Sequence, residues 1–307
     1  MFLIYLSRKE RKILSLKKIV NRRRLLKLFH LVPGNQHGIR RIESTRGLYQ
    51  YPDKMLGRNF PLQNSNQKTD VLVFAAHYDD DVLGVGTTLY RHSQNGDNIK
   101  VVFVTNGSAD WLGIEQSWNV NKAKSKVRTQ ERFKEAVDAL SLLHIPTENI
   151  YCLGFPDGGT HRYLKHISTD VQFLLEKLNP GKVYVHCIEG GHPDHDMVSF
   201  AVKSTCQKVG YHNVFEWAEY NPEQPIGTKD VKFRPNIAGT SEEVIIDISE
   251  EERMLKRNML SYHKSQDVEQ YYLQGEAIRK ANLSDLDMEL DSYCQLPKSF
   301  LPSIIKK

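Results

Sequence analysis

Five short runs without a polar face, residues 71–76, 99–105, 150–153, 182–186 and 214–218, are what most limits the folds open to this chain. A half-exposed strand alternates apolar and polar residues, whereas these runs are apolar at nearly every position and need cover on both sides. Between them, residues 82–93, 122–143, 168–178 and 197–209 carry the three-to-four-residue apolar spacing of amphipathic helices. Strands that alternate with helices in this way build a mostly parallel central sheet with helices on both faces, an α/β fold of three layers. Residues 243–248 then alternate like an edge strand and 250–263 read as a helix, while the last forty residues are polar and less regular.

The charge is unevenly spread. Residues 1–41 hold twelve Lys or Arg against the single Glu10, a segment charge of +11 in a chain whose total is +5, so the remaining residues sum to −6. Apolar residues interleave with these basic ones over 8–31, which suits an amphipathic helix that docks on the body or stands in solvent. The same composition would suit contact with an anionic membrane surface or with nucleic acid. The first six residues are apolar but precede the charges, the reverse of a secretory signal. Cys152, Cys187, Cys206 and Cys294 show no paired spacing and read as reduced thiols of a cytoplasmic protein, membrane-peripheral if the arm binds lipid.

Two stretches carry the chemistry. The first strand ends in His77-Tyr78-Asp79-Asp80-Asp81, and more than a hundred residues later comes Gly190-Gly191-His192-Pro193-Asp194-His195. Both fall at carboxyl ends of strands, where sheets of this kind bind ligands. His77, Asp80 and His195 would supply two imidazoles and a carboxylate, a donor set suited to one Zn²⁺ with a position left open, other divalent metals being alternatives. Asp79 can then face a metal-bound water as general base. Of His192 and His195, one can coordinate while the other stabilises a developing oxyanion. Asp194 is placed to accept an imidazole N–H, and Asp81 reads as the cap or first-turn acid of the following helix.

The pair AHYDDD and GGHPDH resembles the AHPDDE and HPDH motifs of the PIG-L/LmbE superfamily of zinc-dependent N-acetylglucosaminyl deacetylases, over roughly residues 70–266. The resemblance implies a Rossmann-like fold and assigns His77, Asp80 and His195 to the metal, Asp79 to the general base and His192 to stabilisation of the transition state. Arg128-Thr-Gln-Glu131, followed by Ala136 and Leu140, is similar to the family's RxxE helix, whose Arg contacts the sugar. Gly154-Phe-Pro-Asp157-Gly158 resembles its PDG turn, whose Asp also approaches the sugar, and Tyr262 to Gln266 resembles its HxSQ pattern, read as support near the site. The implied activity is removal of an acyl group, acetyl foremost, from an N-acylated amino sugar or glycoconjugate. The implied organisation is a basic extension and linker over 1–69, a deacetylase domain over 70–280 and a C-terminal tail over 281–307.

Three departures stand out. Tyr78 replaces Pro and Asp81 replaces Glu, which bears on the shape of the pocket, and Gly190 and Gly191 occupy the stretch where some members carry a Tyr that assists the oxyanion. Other readings are a Mg²⁺-dependent phosphohydrolase or nuclease, and a binding protein that keeps the fold without catalysis. Two imidazoles favour zinc over Mg²⁺, and the complete set of five site residues argues against lost catalysis. A dinucleotide site is disfavoured because Leu89 stands where Gly84-Val85-Gly86 would need a third glycine. Trp111 and Trp118 are candidates to stack on a sugar face or to pack as a lid.

Overall fold

The structure, a computed structural model, describes residues 68–108, 122–235 and 242–296. Almost all of the basic extension, Trp111 and Trp118 lie outside the described residues.

Five parallel strands form the centre of the sheet: β1 (Val71–Ala75), β2 (Ile99–Thr105), β3 (Ile150–Phe155), β4 (Lys182–His186) and β5 (Val214–Ala218). Their spatial order is β3-β2-β1-β4-β5. The helices are α1 (Asp80–Gln94), α2 (Lys122–Ser141), α3 (Leu164–Leu178), α4 (Pro193–Val209), α5 (Glu250–Ser261) and α6 (Leu286–Tyr293). Two further strands, β6 (Glu243–Ile245) and β7 (Ala277–Lys280), complete the sheet, with β7 antiparallel to β5 and β6 outermost.

The period of two along β1 divides the core. Leu72 and Phe74 join Val183 and Val185 under Ile167, Val171, Val198, Val202 and Leu290, from α3, α4 and α6. Val71, Val73 and Ala75 face the other layer, with Val82, Leu89, Ala139, Leu140, Met259 and Leu260 from α1, α2 and α5. All five residues of β1 are buried, as a strand apolar on both faces requires. Truncating Phe74 or Leu72 to Ala would cost about 2–5 kcal/mol.

This layout places the site. The chain runs outward from β1 to β2 and β3 on one side and to β4 and β5 on the other, so the order reverses between β1 and β4. The crevice at the carboxyl ends of these neighbours is the switch point where ligands bind in open α/β sheets. Both motif stretches leave the sheet there: residues 77–80 follow β1, and residues 187–196 follow β4.

Beyond β5 the fold departs from the expected pattern. β7 has a buried arginine, Arg279, whose Nε donates to Glu216 Oε1 at 2.6 Å, while Lys203 Nζ bonds Glu216 Oε2 at 2.7 Å and Glu289 Oε2 at 3.1 Å. These four charges join β5, β7, α4 and α6. The segment after residue 280, placed in a tail from its polar sequence, thus contains a helix whose Leu290 is fully buried in the core.

Helix α1 breaks at Val85 (φ −142°, ψ 17°), which frees backbone donors inside the protein. The buried carboxylate of Glu276 collects them, accepting from Thr87 N–H at 2.7 Å and Thr88 N–H at 3.1 Å. Lys256 Nζ binds that carboxylate at 3.0 Å and reaches Leu83 O and Gln274 O. Gly84 lies just before the break because a Cβ there would stand 2.1 Å from Trp217 Nε1; this glycine serves packing, not a phosphate. Among the described residues, no helix is long and apolar enough to cross a membrane.

Candidate metal centre

Three side chains from two strand ends converge. His77 Nδ1 stands 3.2 Å from His195 Nε2 and 3.2 Å from Asp80 Oδ2, and Asp80 Oδ1 stands 3.3 Å from His195 Nε2. Tetrahedral zinc with bonds of about 2.0–2.1 Å separates its donors by about 3.3 Å, close to the spacing of these side chains. His77 lies two residues past the end of β1, and Asp80 is the first residue of α1, folded back so that Oδ2 accepts the His77 backbone N–H at 2.6 Å. His195 lies in the first turn of α4, fully buried.

The charges also suit a cation. Burial opposes ionisation of Asp80, yet His195 and His77 hold its carboxyl well below the ordinary range. His195, buried and close to His186 and His77, is pushed down to about 3 although Asp80 opposes this, and so presents a neutral ring. His77 is held well above the usual imidazole value by Asp80 and Asp157 in spite of its burial. A metal at Nδ1 would take the place of that proton. The other nitrogen of His77, Nε2, faces Asp194 Oδ2 and Asp157 Oδ1, both at 3.4 Å, which orients the ring. Asp194 is itself fixed by Gly158 N–H, Thr160 N–H and the Thr160 hydroxyl.

Asp79 begins α1 as its N-cap but makes no side-chain cap bond, so its carboxylate is not tied to the helix. Burial and the neighbouring Asp80 push it up to about 7, with His77 and Arg132 opposing. His192 caps α4: its Nδ1 accepts the Asp194 N–H at 3.1 Å, which leaves the ring proton of the neutral imidazole on Nε2. Burial and His77 lower its pKa, and its ring meets that of His77 edge-on at 4.7 Å. His77, His192 and His195 also stand close enough together to form an all-imidazole group.

Residues 72–206 match the PIG-L family, described as GlcNAc-PI de-N-acetylase. Over these residues the chain is similar to that family. An uncharacterized deacetylase of Escherichia coli (strain K12), YaiS, is 25% identical over 186 residues, 58% of this chain and 91% of YaiS. Among solved structures, a deacetylase of the teicoplanin biosynthesis pathway in complex with teicoplanin superposes with a TM-score of 0.54 at 18% identity, covering 69% of this chain and 97% of that one. The zinc-inhibited form of teicoplanin deacetylase gives the same TM-score, identity and coverage. At these identities the structures establish a shared fold.

Several side chains around the site stand elsewhere than the sequence suggested. Tyr78 does not shape the pocket: it is wholly buried, its hydroxyl 3.2 Å from Cys152 Sγ and its ring against Phe103 and Phe133. The bend after β1 turns Tyr78 into the core cluster of α1 and α2. Asp81 lies in the first turn of α1, but its carboxylate is buried with no hydrogen-bond partner among the described residues. Burial and Asp80 raise its pKa well above the ordinary value. Gly190 and Gly191 admit backbone: Cβ atoms there would stand 2.2 Å from Tyr293 O and 1.9 Å from Tyr220 O.

Of the two residues expected at the sugar, Asp157 lies at the site beside His77. Arg128 Nη1 donates to Ser108 O at 3.3 Å on the loop after β2. One helical turn on, Arg132 holds Gly107 O at 2.9 Å and stands 3.9 Å from Asp157 Oδ2. His263, of the HxSQ stretch, is buried with Nδ1 3.3 Å from Gln266 Nε2, and Ser265 donates to Glu135 of α2. His186 and Glu219, absent from the sequence-based set, lie directly behind the donors; a polar residue closing an apolar strand was their only signal.

Proposed function

We propose that this chain is a metal-dependent N-deacetylase that hydrolyses the amide of an N-acetylated amino sugar or glycoconjugate. The convergence of His77 Nδ1, the Asp80 carboxylate and His195 Nε2, with Asp79 next to Asp80 in the chain, carries this reading. The PIG-L match and the deacetylase relatives support the reaction class, and two imidazoles among three donors favour zinc. A divalent ion held by these three residues would polarise the amide carbonyl and acidify a neighbouring water.

Asp79 takes the proton from the attacking water. Its carboxylate is held near neutrality and is free of the helix cap, which suits a base that must later release the same proton. His192 offers its Nε2–H to the carbonyl oxygen as negative charge develops there. The carbon–nitrogen bond then breaks, the proton held by Asp79 passes to the departing nitrogen, and acetate and a free amine remain. Asp157, between His77 and Arg132, is the acceptor for a sugar hydroxyl, with Arg128 farther along α2.

The experiment is a screen of N-acetylated amino sugars for free amine release, with zinc supplied and with chelator added. Release that requires zinc supports the reading. Phosphate release from phosphoesters with Mg²⁺, and no amine release, would overturn it.

A further inference from the structure

Behind the three donors lies an imidazole that makes contact beside or with each of them. His186 closes β4 and is 1% exposed. Its Nε2 receives the backbone N–H of Ala76, the residue before His77, at 3.1 Å, and stands 3.3 Å from Asp80 Oδ2. Its ring is stacked on that of His195 with centroids 4.0 Å apart and planes 24° from parallel. The backbone leading to the first donor, the carboxylate of the second and the ring of the third therefore rest on one side chain.

That side chain is itself held from behind. Nδ1 faces Glu219 Oε2 at 3.4 Å, on the side of the ring away from Ala76 and Asp80. Glu219 is fully buried and is kept in place by Trp217 Nε1 at 3.1 Å, while its backbone N–H bonds Glu189 Oε1 at 2.7 Å. Trp217 also packs on the His186 ring at 4.4 Å. The assembly spans the switch point, since Ala76 follows β1, His186 ends β4 and Glu219 follows β5.

We propose that His186, backed by Glu219, is a positioning residue for the metal centre: it sets the spacing of His77, Asp80 and His195 and hence their affinity for a divalent ion. The inference rests on the reading that these three residues hold the metal. A partner behind the donors has this effect in metal sites generally, where its loss lowers affinity about 10–100-fold.

The test is zinc affinity, measured on the metal-free full chain by competition with a chromophoric chelator, alongside the melting temperature of the same samples. His186→Leu is expected to weaken zinc binding by about 10–100-fold. His186→Gln, which keeps a polar group near Ala76 and Asp80, is expected to recover part of the loss, and Glu219→Gln to lie between wild type and His186→Leu. Unchanged affinity in both folded His186 variants would overturn the proposal, as would a lowered melting temperature with no change in affinity. Failure of the underlying reading looks different: zinc would bind wild type no more tightly than it binds His195→Ala.

Discussion

Asp79 and Asp80 share a peptide bond yet stand at opposite ends of the carboxylate range. Burial and its neighbour push Asp79 up to about 7, whereas His195 and His77, against the cost of burial, hold Asp80 well below its ordinary value. The chain thus separates a permanently charged donor from an acid that can exchange a proton near neutrality. Asp79 works as a base only when ionised, so kcat/KM should rise with pH through its apparent pKa. An ion beside it draws that pKa below 7, because positive charge favours the carboxylate. Asp79→Asn should lower kcat by about 10²–10⁴-fold and remove this rising limb while metal content stays at the wild-type level. A kcat within threefold of wild type, roughly 0.7 kcal/mol in barrier, would take Asp79 out of the proton transfer.

Metal binding should itself depend on pH. His77 is held well above the usual imidazole value in the metal-free chain, and coordination through Nδ1 must expel its proton. Zinc affinity, measured by chelator competition at several pH values, should fall by about tenfold for each unit of acidification below the His77 pKa. A flat profile between pH 8 and pH 5 would mean that the ion does not displace a proton from His77.

How much of this was readable beforehand follows from how local each signal is. The strands β1 to β5 were legible because each is a short, largely apolar run, and the five motif residues because they lie within two short stretches. β7 was not, since Arg279 at its centre is buried through Glu216, a partner 63 residues away that no local pattern reveals. Helix α6 buries just Leu286 and Leu290 of its apolar residues fully and is also tied in by Glu289 of the same ion cluster. His186 and Glu219 are single polar residues at two strand ends, 33 positions apart and joined only once β4 and β5 pair. Tyr78 was misread because motif resemblance locates a residue along the chain but not the face to which it points.

The break in α1 makes Glu276 the strongest candidate for a large stability effect outside the metal centre. Glu276→Ala would leave Lys256 Nζ without its buried counter-charge and the Thr87 and Thr88 N–H groups without an acceptor. Removing one member of a buried pair costs about 3–5 kcal/mol, and the freed backbone groups add to that. Urea denaturation should show this as a lower midpoint with an unchanged slope, and Glu276→Gln should lose less because one acceptor remains. A midpoint equal to wild type for Glu276→Ala would mean that water reaches the break.

His263 should govern much of the stability lost in acid. It is buried at the end of α5, and burial together with Arg132 pushes its pKa down to about 3, against about 6.5 in an unfolded chain. Between these values the unfolded state takes up a proton that the folded state refuses, so stability falls as the solution is acidified. The contribution is complete above about pH 6.5 and is lost progressively toward pH 3, with a slope of at most about 1.4 kcal/mol per unit. His263→Asn removes the titrating group while keeping an amide near Gln266. Its urea midpoint should be lower than wild type at pH 7, yet the two should converge as the pH is brought to 4. Parallel curves over that interval would show that His263 takes up its proton in the folded state and would assign the acid sensitivity to other groups.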